Sequence, residues 1–82
     1  MVTIYGSDSC FHCLKSKQLC ETMEIPHKYL NVNETWVVRD YSRLFPDAEG
    51  IPQILWNDEP IGGYTALAKK IDDYIINLNK EK

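Results

Sequence analysis

Four prolines and one pair of adjacent glycines interrupt this 82-residue chain, and they limit the length of every helix and strand that it can form. Proline ends a helix because it lacks an N–H group and its ring clashes with the preceding turn. Pro26 and Pro46 therefore mark the ends of two helical segments, and Gly62-Gly63 separates a hairpin from a third. A chain of this length has room for one core, so we expect residues 1–82 to form a single domain.

The residue patterns between these breaks predict the element order βαβαββα. The predicted strands are residues 2–5, 27–32, 53–56 and a short segment around 60–61. A first helix is predicted from Phe11 to about Met23, and a second between an N-cap at Asn33 and Pro46. Thr65 is the expected N-cap of a third helix. The apolar stripe of that helix comprises Leu67, Ile71, Tyr74, Ile75 and Leu78.

Composition and charge narrow the classes of function. Hydrophobic residues make up 44% and charged residues 26% of the chain, as in ordinary folded globular proteins. The formal net charge of -3 leaves no excess of cations to neutralise nucleic acid or an anionic membrane surface. No apolar run approaches the roughly 18 residues of a membrane span, and the N-terminus lacks the features of a signal peptide. We therefore expect a cytoplasmic monomer that binds neither nucleic acid nor membrane.

Two of the three cysteines, Cys10 and Cys13, form a C-x-x-C pair, and the third is Cys20. A structural zinc site would require Cys20 and His27 to converge on the pair, so no metal is predicted. Redox chemistry requires only that the pair begin a helix that follows a strand, which is the predicted order, because N–H groups at a helix start stabilise a thiolate. Cys10 is therefore the expected nucleophile, and Cys13 would close a disulfide with it. Two purely structural thiols are the alternative.

Three short motifs together resemble the glutaredoxins, which are short proteins of the thioredoxin-like fold. The motifs are C-F-H-C at 10–13, I-P-Q-I at 51–54 and I-G-G-Y-T at 61–65, and the resemblance extends over essentially the whole chain. It implies an α/β architecture in which helices flank a central four-stranded mixed sheet. It also implies a dithiol oxidoreductase in which Cys10 attacks a disulfide and Cys13 resolves the mixed disulfide.

The same resemblance implies that glutathione is the reducing co-substrate and that no cofactor is bound. The residues expected to contact glutathione are Tyr5, Phe11, Ile51, Pro52, Gly63, Tyr64 and Thr65. The Ile51–Pro52 bond is expected to be cis, so that the Ile51 backbone pairs with glutathione as a short strand would. The expected partners are glutathione and disulfide-containing proteins such as ribonucleotide reductase.

Two other functions fit the same motifs. A redoxin that takes electrons from thioredoxin reductase and serves ribonucleotide reductase has this length, although such proteins usually lack the glycine pair at 62–63. A [2Fe–2S] carrier or sensor would use Cys10 as a cluster ligand in a dimer. Single-cysteine relatives favour cluster binding more than C-x-x-C proteins do.

The sequence departs from the glutaredoxin pattern at positions that would meet the charged ends of glutathione. Ser7 stands where lysine or arginine is common, and Glu49 stands where many members carry arginine. Ala66 replaces a common aspartate. The expected substitutes for the missing cations are Arg39 or Arg43, with Lys15 and Lys17 as weaker candidates.

Two residues near the C-x-x-C pair have predicted roles of their own. His12 lies between the cysteines and can stabilise the Cys10 thiolate, which would make the disulfide with Cys13 more oxidising. A solvent-exposed His12 without effect is the alternative. Cys20 shares a helix face with Ser16, so we expect it to pack as a small core residue.

Overall fold

The computed structural model describes residues 1–48 and 50–80, and its elements follow the predicted order βαβαββα. The strands are β1 (Val2–Gly6), β2 (His27–Asn31), β3 (Gln53–Trp56) and β4 (Glu59–Gly62). The helices are α1 (Phe11–Thr22), α2 (Thr35–Leu44) and α3 (Tyr64–Lys80). Within these ranges, no helix has both the length and the apolar character needed to cross a membrane.

The four strands form one mixed sheet in the order β2-β1-β3-β4. Strand β1 pairs in parallel with β2 and antiparallel with β3, so that Ile4 stands opposite Tyr29 on one side and Ile54 on the other. Strand β4 completes the sheet as an antiparallel hairpin with β3. This arrangement confirms the predicted thioredoxin-like α/β fold.

The sheet has a core on each face because successive strand side chains point in opposite directions. Val2 and Ile4 of β1 face α1 and α3, whereas Tyr5 faces α2. The buried residues of the first core are Val2, Ile4, Cys20, Ile54, Leu67 and Ile71. Those of the second are Tyr5, Val37, Phe45 and Leu55. The order of layers is therefore helices, sheet, helix, and the end of β1 leads directly to the start of α1.

Two predicted helix caps are wrong. Helix α2 begins at Thr35, and its N-cap residue Glu34 makes no side-chain capping bond. Asn33 lies instead in a turn, where its N–H donates to Oδ1 of Asn31 at 2.9 Å. Helix α3 begins at Tyr64, so Thr65 lies inside its first turn and is not the N-cap. In the first case Asn33 belongs to the turn that leaves β2, and the helix starts one residue later than predicted.

The predicted apolar stripe of α3 is buried only in its first half. Leu67 and Ile71 are buried and Ile75 is half-buried, but Tyr74 and Leu78 are exposed. The ring of Tyr74 packs edge-on against Trp56, with 6.0 Å between centroids. One side of Tyr74 therefore covers β3, and the other stays in solvent.

Cys20 packs in the first core with no exposed surface, as predicted. Burial, together with the nearby Glu21 carboxylate, raises the pKa of its thiol from 9.0 to about 11. In the unfolded chain this thiol loses its proton near its ordinary pKa, whereas the folded chain holds the proton.

We therefore expect the free energy of unfolding to fall as the pH rises from about 9.0 towards 11, because the unfolded state then binds fewer protons. One such group accounts for at most about 1.4 kcal/mol per pH unit. Denaturant unfolding at several pH values should show a shallower fall in Cys20→Ala. Any cavity in that variant lowers stability at every pH and leaves the slope unaffected. An unchanged slope would contradict the assignment.

Candidate active site

The C-x-x-C pair begins α1, as predicted. Cys10 is the N-cap residue and is half-exposed, whereas Cys13 lies in the first turn and is completely buried. The Cys13 N–H donates to Sγ of Cys10 at 3.3 Å. This donor, together with the positive end of the helix dipole, would stabilise negative charge on the Cys10 sulfur.

The turn before Cys10 is fixed by its own hydrogen bonds. The Cys10 N–H donates to the Ser7 carbonyl at 3.0 Å, and Oγ of Ser7 lies 3.1 Å from Oγ of Ser9. The Ser7 side chain is only 7% exposed. The position at which the glutaredoxin pattern has a cation is therefore occupied here by a residue that holds the turn.

The two sulfurs differ in access and in acidity. Burial, followed by a hydrogen bond with Cys10, raises the pKa of Cys13 from 9.0 to about 12. Cys13 is therefore a protonated thiol at neutral pH, and it has no surface for an external disulfide to reach. Attack on a substrate falls to Cys10, and Cys13 can act only on Sγ of Cys10, once that sulfur is bonded to a substrate.

An open groove of about 680 Å³ lies beside the motif. Its lining residues are His12, Gly50, Ile51, Pro52, Gln53, Gly63, Tyr64, Thr65, Ala66 and Lys69. The Ile51–Pro52 bond is cis, which confirms the prediction, and the Ile51 carbonyl lies 3.9 Å from Sγ of Cys10. One wall of the groove thus lies next to the reactive sulfur.

Different features of the backbone fix the two sides of the groove. On one side, the Gly50 carbonyl accepts hydrogen bonds from the Tyr41 hydroxyl at 2.8 Å and from Nε2 of Gln53 at 3.0 Å. On the other, Gly62 adopts a φ of 112°, which favours glycine and turns the chain into α3. Leu67 donates the first N–H bond of α3, to the Gly63 carbonyl at 3.1 Å. The N–H groups before Leu67 therefore have no partner within the helix and can meet a carboxylate.

Similar proteins agree with this geometry. No protein-family model matches the sequence. A glutaredoxin of Haemophilus influenzae is 28% identical over 71 residues, covering 78% of this chain and 82% of its own length. The crystal structure of glutaredoxin 1 from Francisella tularensis, complexed with cacodylate, has a TM-score of 0.72 at 28% identity and covers 93% of this chain and 95% of that one. The chain is a glutaredoxin-like thiol-disulfide oxidoreductase.

Two more distant structures share the fold of this glutaredoxin-like chain. The buckwheat glutaredoxin–glutathione complex has a TM-score of 0.75 at 16% identity and covers 88% of this chain and 68% of that one. NrdH-redoxin from Escherichia coli, a glutaredoxin-like protein with a thioredoxin-like activity profile, has a TM-score of 0.63 at 21% identity and covers 77% of this chain and 82% of that one. At such identities the likeness concerns the fold alone.

Five of the seven residues predicted to contact glutathione line the groove, and two do not. Tyr5 is 4% exposed and packs against Tyr41 and Phe45 in the second core, so the structure does not bring it to the groove. Phe11 is 72% exposed and lies outside the groove, although its ring packs against that of His12. Tyr5 precedes the motif and Phe11 lies within it, but neither residue lines the groove.

The expected cations are placed differently from the prediction. Arg43 is paired with Asp40 on α2 and lines a separate hollow with Tyr5. Lys69 lines the groove instead, and Nζ of Lys15 lies 4.6 Å from the ring centroid of Tyr64. The sequence signal was the spacing of Lys69 four residues after Thr65, which places both on one face of α3. Glu49 lies outside the described residues.

His12 contributes to the groove wall. Its ring lies 6.2 Å from that of Tyr64, centroid to centroid. The predicted effect of His12 on the Cys10 thiolate stays a prediction.

A second cavity, of about 400 Å³, shares no lining residue with the groove. It lies between the N-terminal end of β1 and α3, and Met1, Met23, Trp56, Tyr74 and Leu78 contribute to its wall. No cysteine lines either cavity, but the groove residue Ile51 has its carbonyl 3.9 Å from Sγ of Cys10, so we assign the redox site to the groove. Within residues 1–48 and 50–80, no three His, Cys, Asp or Glu side chains are close enough together to share a metal ion.

Proposed function

We propose that this chain is a glutathione-dependent dithiol reductase of protein disulfides and glutathione mixed disulfides. The Cys10 thiolate attacks the substrate disulfide, and one substrate sulfur leaves as a thiol. Cys13 then loses its proton and attacks Sγ of Cys10, so that the Cys10–Cys13 disulfide forms and the second substrate sulfur leaves and takes up a proton. Two glutathione thiols reduce that disulfide in succession and become oxidised glutathione.

The observation that carries this proposal is the groove that lies next to the Cys10 sulfur and extends to the start of α3. Its volume, about 680 Å³, lies within the usual range for small-molecule sites. Glutathione is a peptide with a carboxylate at each end. With its sulfur at Cys10, one carboxylate can meet the free N–H groups at Thr65 and Ala66, and the peptide backbone can run beside Ile51. The buckwheat glutaredoxin of the same fold was crystallised with glutathione.

The proposal extends to partners and location. Ribonucleotide reductase is a candidate substrate, because its turnover leaves a disulfide that a small dithiol protein can reduce. The exposed Phe11 and Leu14, which are 72% and 43% exposed on either side of Cys13 in sequence, offer an apolar contact to such a protein. We propose that the chain acts in the cytoplasm, because reduction by glutathione requires a reducing compartment. We also propose that it acts there as a monomer.

A redoxin that depends on thioredoxin reductase is the second candidate. Two observations favour it: the fold is shared with NrdH-redoxin, and the buried Ser7 leaves no cation at the turn before Cys10. The two functions differ in their electron donor.

One comparison of electron donors separates these candidates. The protein is supplied with a glutathione mixed disulfide and NADPH, together with either glutathione and glutathione reductase or thioredoxin reductase. We expect rapid NADPH oxidation with glutathione and little with thioredoxin reductase. The opposite preference would refute the proposal and support the redoxin. Visible absorption bands in anaerobically purified protein would identify an iron–sulfur carrier.

The groove also makes a prediction about glutathione affinity. Lys69 lines the groove. Its neighbour Lys70 lies on another side of α3, with its Nζ 5.8 Å from the centroid of the Trp56 ring. Lys69→Met should raise the KM for glutathione by up to about fivefold, which is the value of one solvent-exposed charge. Lys70→Met removes the same charge from the chain outside the groove and serves as the control. Equal KM values in the two variants would place glutathione elsewhere.

A further inference from the structure

Sγ of Cys13 and the hydroxyl of Tyr29 both lie close to the backbone of Gly6. A Cβ built on Gly6 would lie 2.8 Å from Sγ of Cys13 and 2.9 Å from the hydroxyl of Tyr29. The sulfur and the hydroxyl therefore approach each other across a position that only glycine leaves open.

The Tyr29 hydroxyl is buried and, within the described residues, has no hydrogen-bond partner. A buried hydroxyl without a partner destabilises a folded protein, and phenylalanine would fill the same space without that cost. The ring itself packs against the first core. Packing in the first core accounts for an aromatic ring at position 29, but no contact in the described part of the reduced protein accounts for the hydroxyl.

We propose that the Tyr29 hydroxyl is a hydrogen-bond donor for the Cys13 sulfur at the moment when that sulfur carries negative charge. When the Cys10–Cys13 disulfide is reduced, an external thiolate attacks Sγ of Cys10 and forms a new S–S bond with it. The bond to Cys13 breaks, and its electron pair leaves with Sγ of Cys13. Tyr29 donates to this thiolate until it takes a proton from solvent.

The ionisation behaviour of the neighbouring groups agrees with this role. Burial raises the pKa of Cys13, whereas a hydrogen bond with the Ser7 backbone and the proximity of the Tyr29 hydroxyl lower it. Burial, with the nearby charges of Cys13, Asp8 and Cys10, raises the pKa of Tyr29 to about 12, so its hydroxyl keeps its proton at neutral pH. Tyr29 can therefore donate a hydrogen bond without giving up the proton.

The charged and titratable surroundings are otherwise sparse. Nζ of Lys17 lies 5.4 Å from the centroid of the Tyr29 ring and would favour negative charge nearby. The pKa of Tyr41 is raised by burial and then by the charge of Cys13, so it too stays protonated. The Tyr29 hydroxyl lies close to Gly6, beside Cys13, whereas the Tyr41 hydroxyl donates its hydrogen bond to the Gly50 carbonyl.

The inference rests on the proposed roles of Cys10 and Cys13 but not on glutathione, so its test uses mercaptoethanol. The oxidised protein is mixed with mercaptoethanol at neutral pH, and free Cys13 thiol is followed by acid quenching, alkylation and mass spectrometry. Tyr29→Phe should slow its appearance by about tenfold or more, because a hydrogen bond to a charged group is lost. The midpoint of denaturant unfolding should be unchanged or higher, since the variant buries no unpaired hydroxyl.

Two controls separate this effect from a general disturbance of the site. In a Cys13→Ser background, Tyr29→Phe should leave the reaction of Cys10 with hydroxyethyl disulfide unchanged, because Cys13 takes no part in it. Tyr74→Phe, an exposed tyrosine remote from the motif, should leave both reactions unchanged. The proposal is overturned if mercaptoethanol reduces the Cys10–Cys13 disulfide of Tyr29→Phe at the wild-type rate. It is also overturned if Tyr29→Phe slows the reaction of Cys10 with hydroxyethyl disulfide equally in the Cys13→Ser background.

Discussion

Replacement of Cys10 by serine is expected to abolish all disulfide reduction, whereas Cys13→Ser should retain the reduction of glutathione mixed disulfides. A serine hydroxyl is not nucleophilic towards sulfur at neutral pH, and Cys10 is the partly exposed sulfur, next to the groove residue Ile51. Cys13 is needed only where a protein stays bonded to Cys10 and must be released. Steady-state rates with a glutathione mixed disulfide and with a protein disulfide would measure both losses.

The third cysteine supplies the control for this division of labour. Cys20 lies in the core, away from the motif, so Cys20→Ala should leave both rates at the wild-type level. Equal loss of activity towards the glutathione mixed disulfide in Cys10→Ser and Cys13→Ser would contradict the assignment of Cys10 as the attacking sulfur.

Gly6→Ala is expected to destabilise the protein by about 1–3 kcal/mol, the usual cost of forcing an extra methyl group into a packed interior. The new Cβ would lie 2.7 Å from Cβ and 2.8 Å from Sγ of Cys13. Neither atom can move far, because Cys13 is held in the first turn of α1. Strand and helix must therefore separate slightly. Denaturant unfolding of the reduced protein would measure the loss, and activity should fall with it.

Gly50→Ala is the matched control for this stability measurement. A Cβ at Gly50 meets no atom within 4 Å, and the residue has no positive φ. The free energy of unfolding should change by less than about 0.5 kcal/mol, as is usual for open surface positions. A similar loss in both variants would mean that the loss in Gly6→Ala does not come from the contact with Cys13.

The element order could be predicted because local residue chemistry decides it. The β-branched and aromatic residues of β1, the turn formers before Cys10 and the helix-ending Pro26 each act within a few positions of themselves. The reactive position followed from the same information, since a C-x-x-C pair after a strand and a turn must fall at the start of a helix. Glutathione dependence came from the resemblance to a family and not from these patterns.

Details that depend on distant contacts could not be predicted. The choice between Arg43 and Lys69 depends on which helix face lies beside the groove, and this is fixed by the packing of α2 and α3 on opposite faces of the sheet. The resemblance implied that Tyr5 contacts glutathione, but strand alternation turns its side chain into the second core. Tyr29 of β2 and Cys13 of α1 both lie close to Gly6 of β1, and no local pattern in the sequence indicates that they meet there.

The burial of two of the three sulfurs also determines how this protein would respond to peroxide. Cys10 is the sulfur open to oxidation, and its sulfenic acid would meet Cys13 at once, lose water and become the ordinary disulfide. That product is an intermediate of the working cycle, so the same thiols that drive turnover would repair it. Cys20, enclosed in the first core, is shielded from damage that no thiol could reverse.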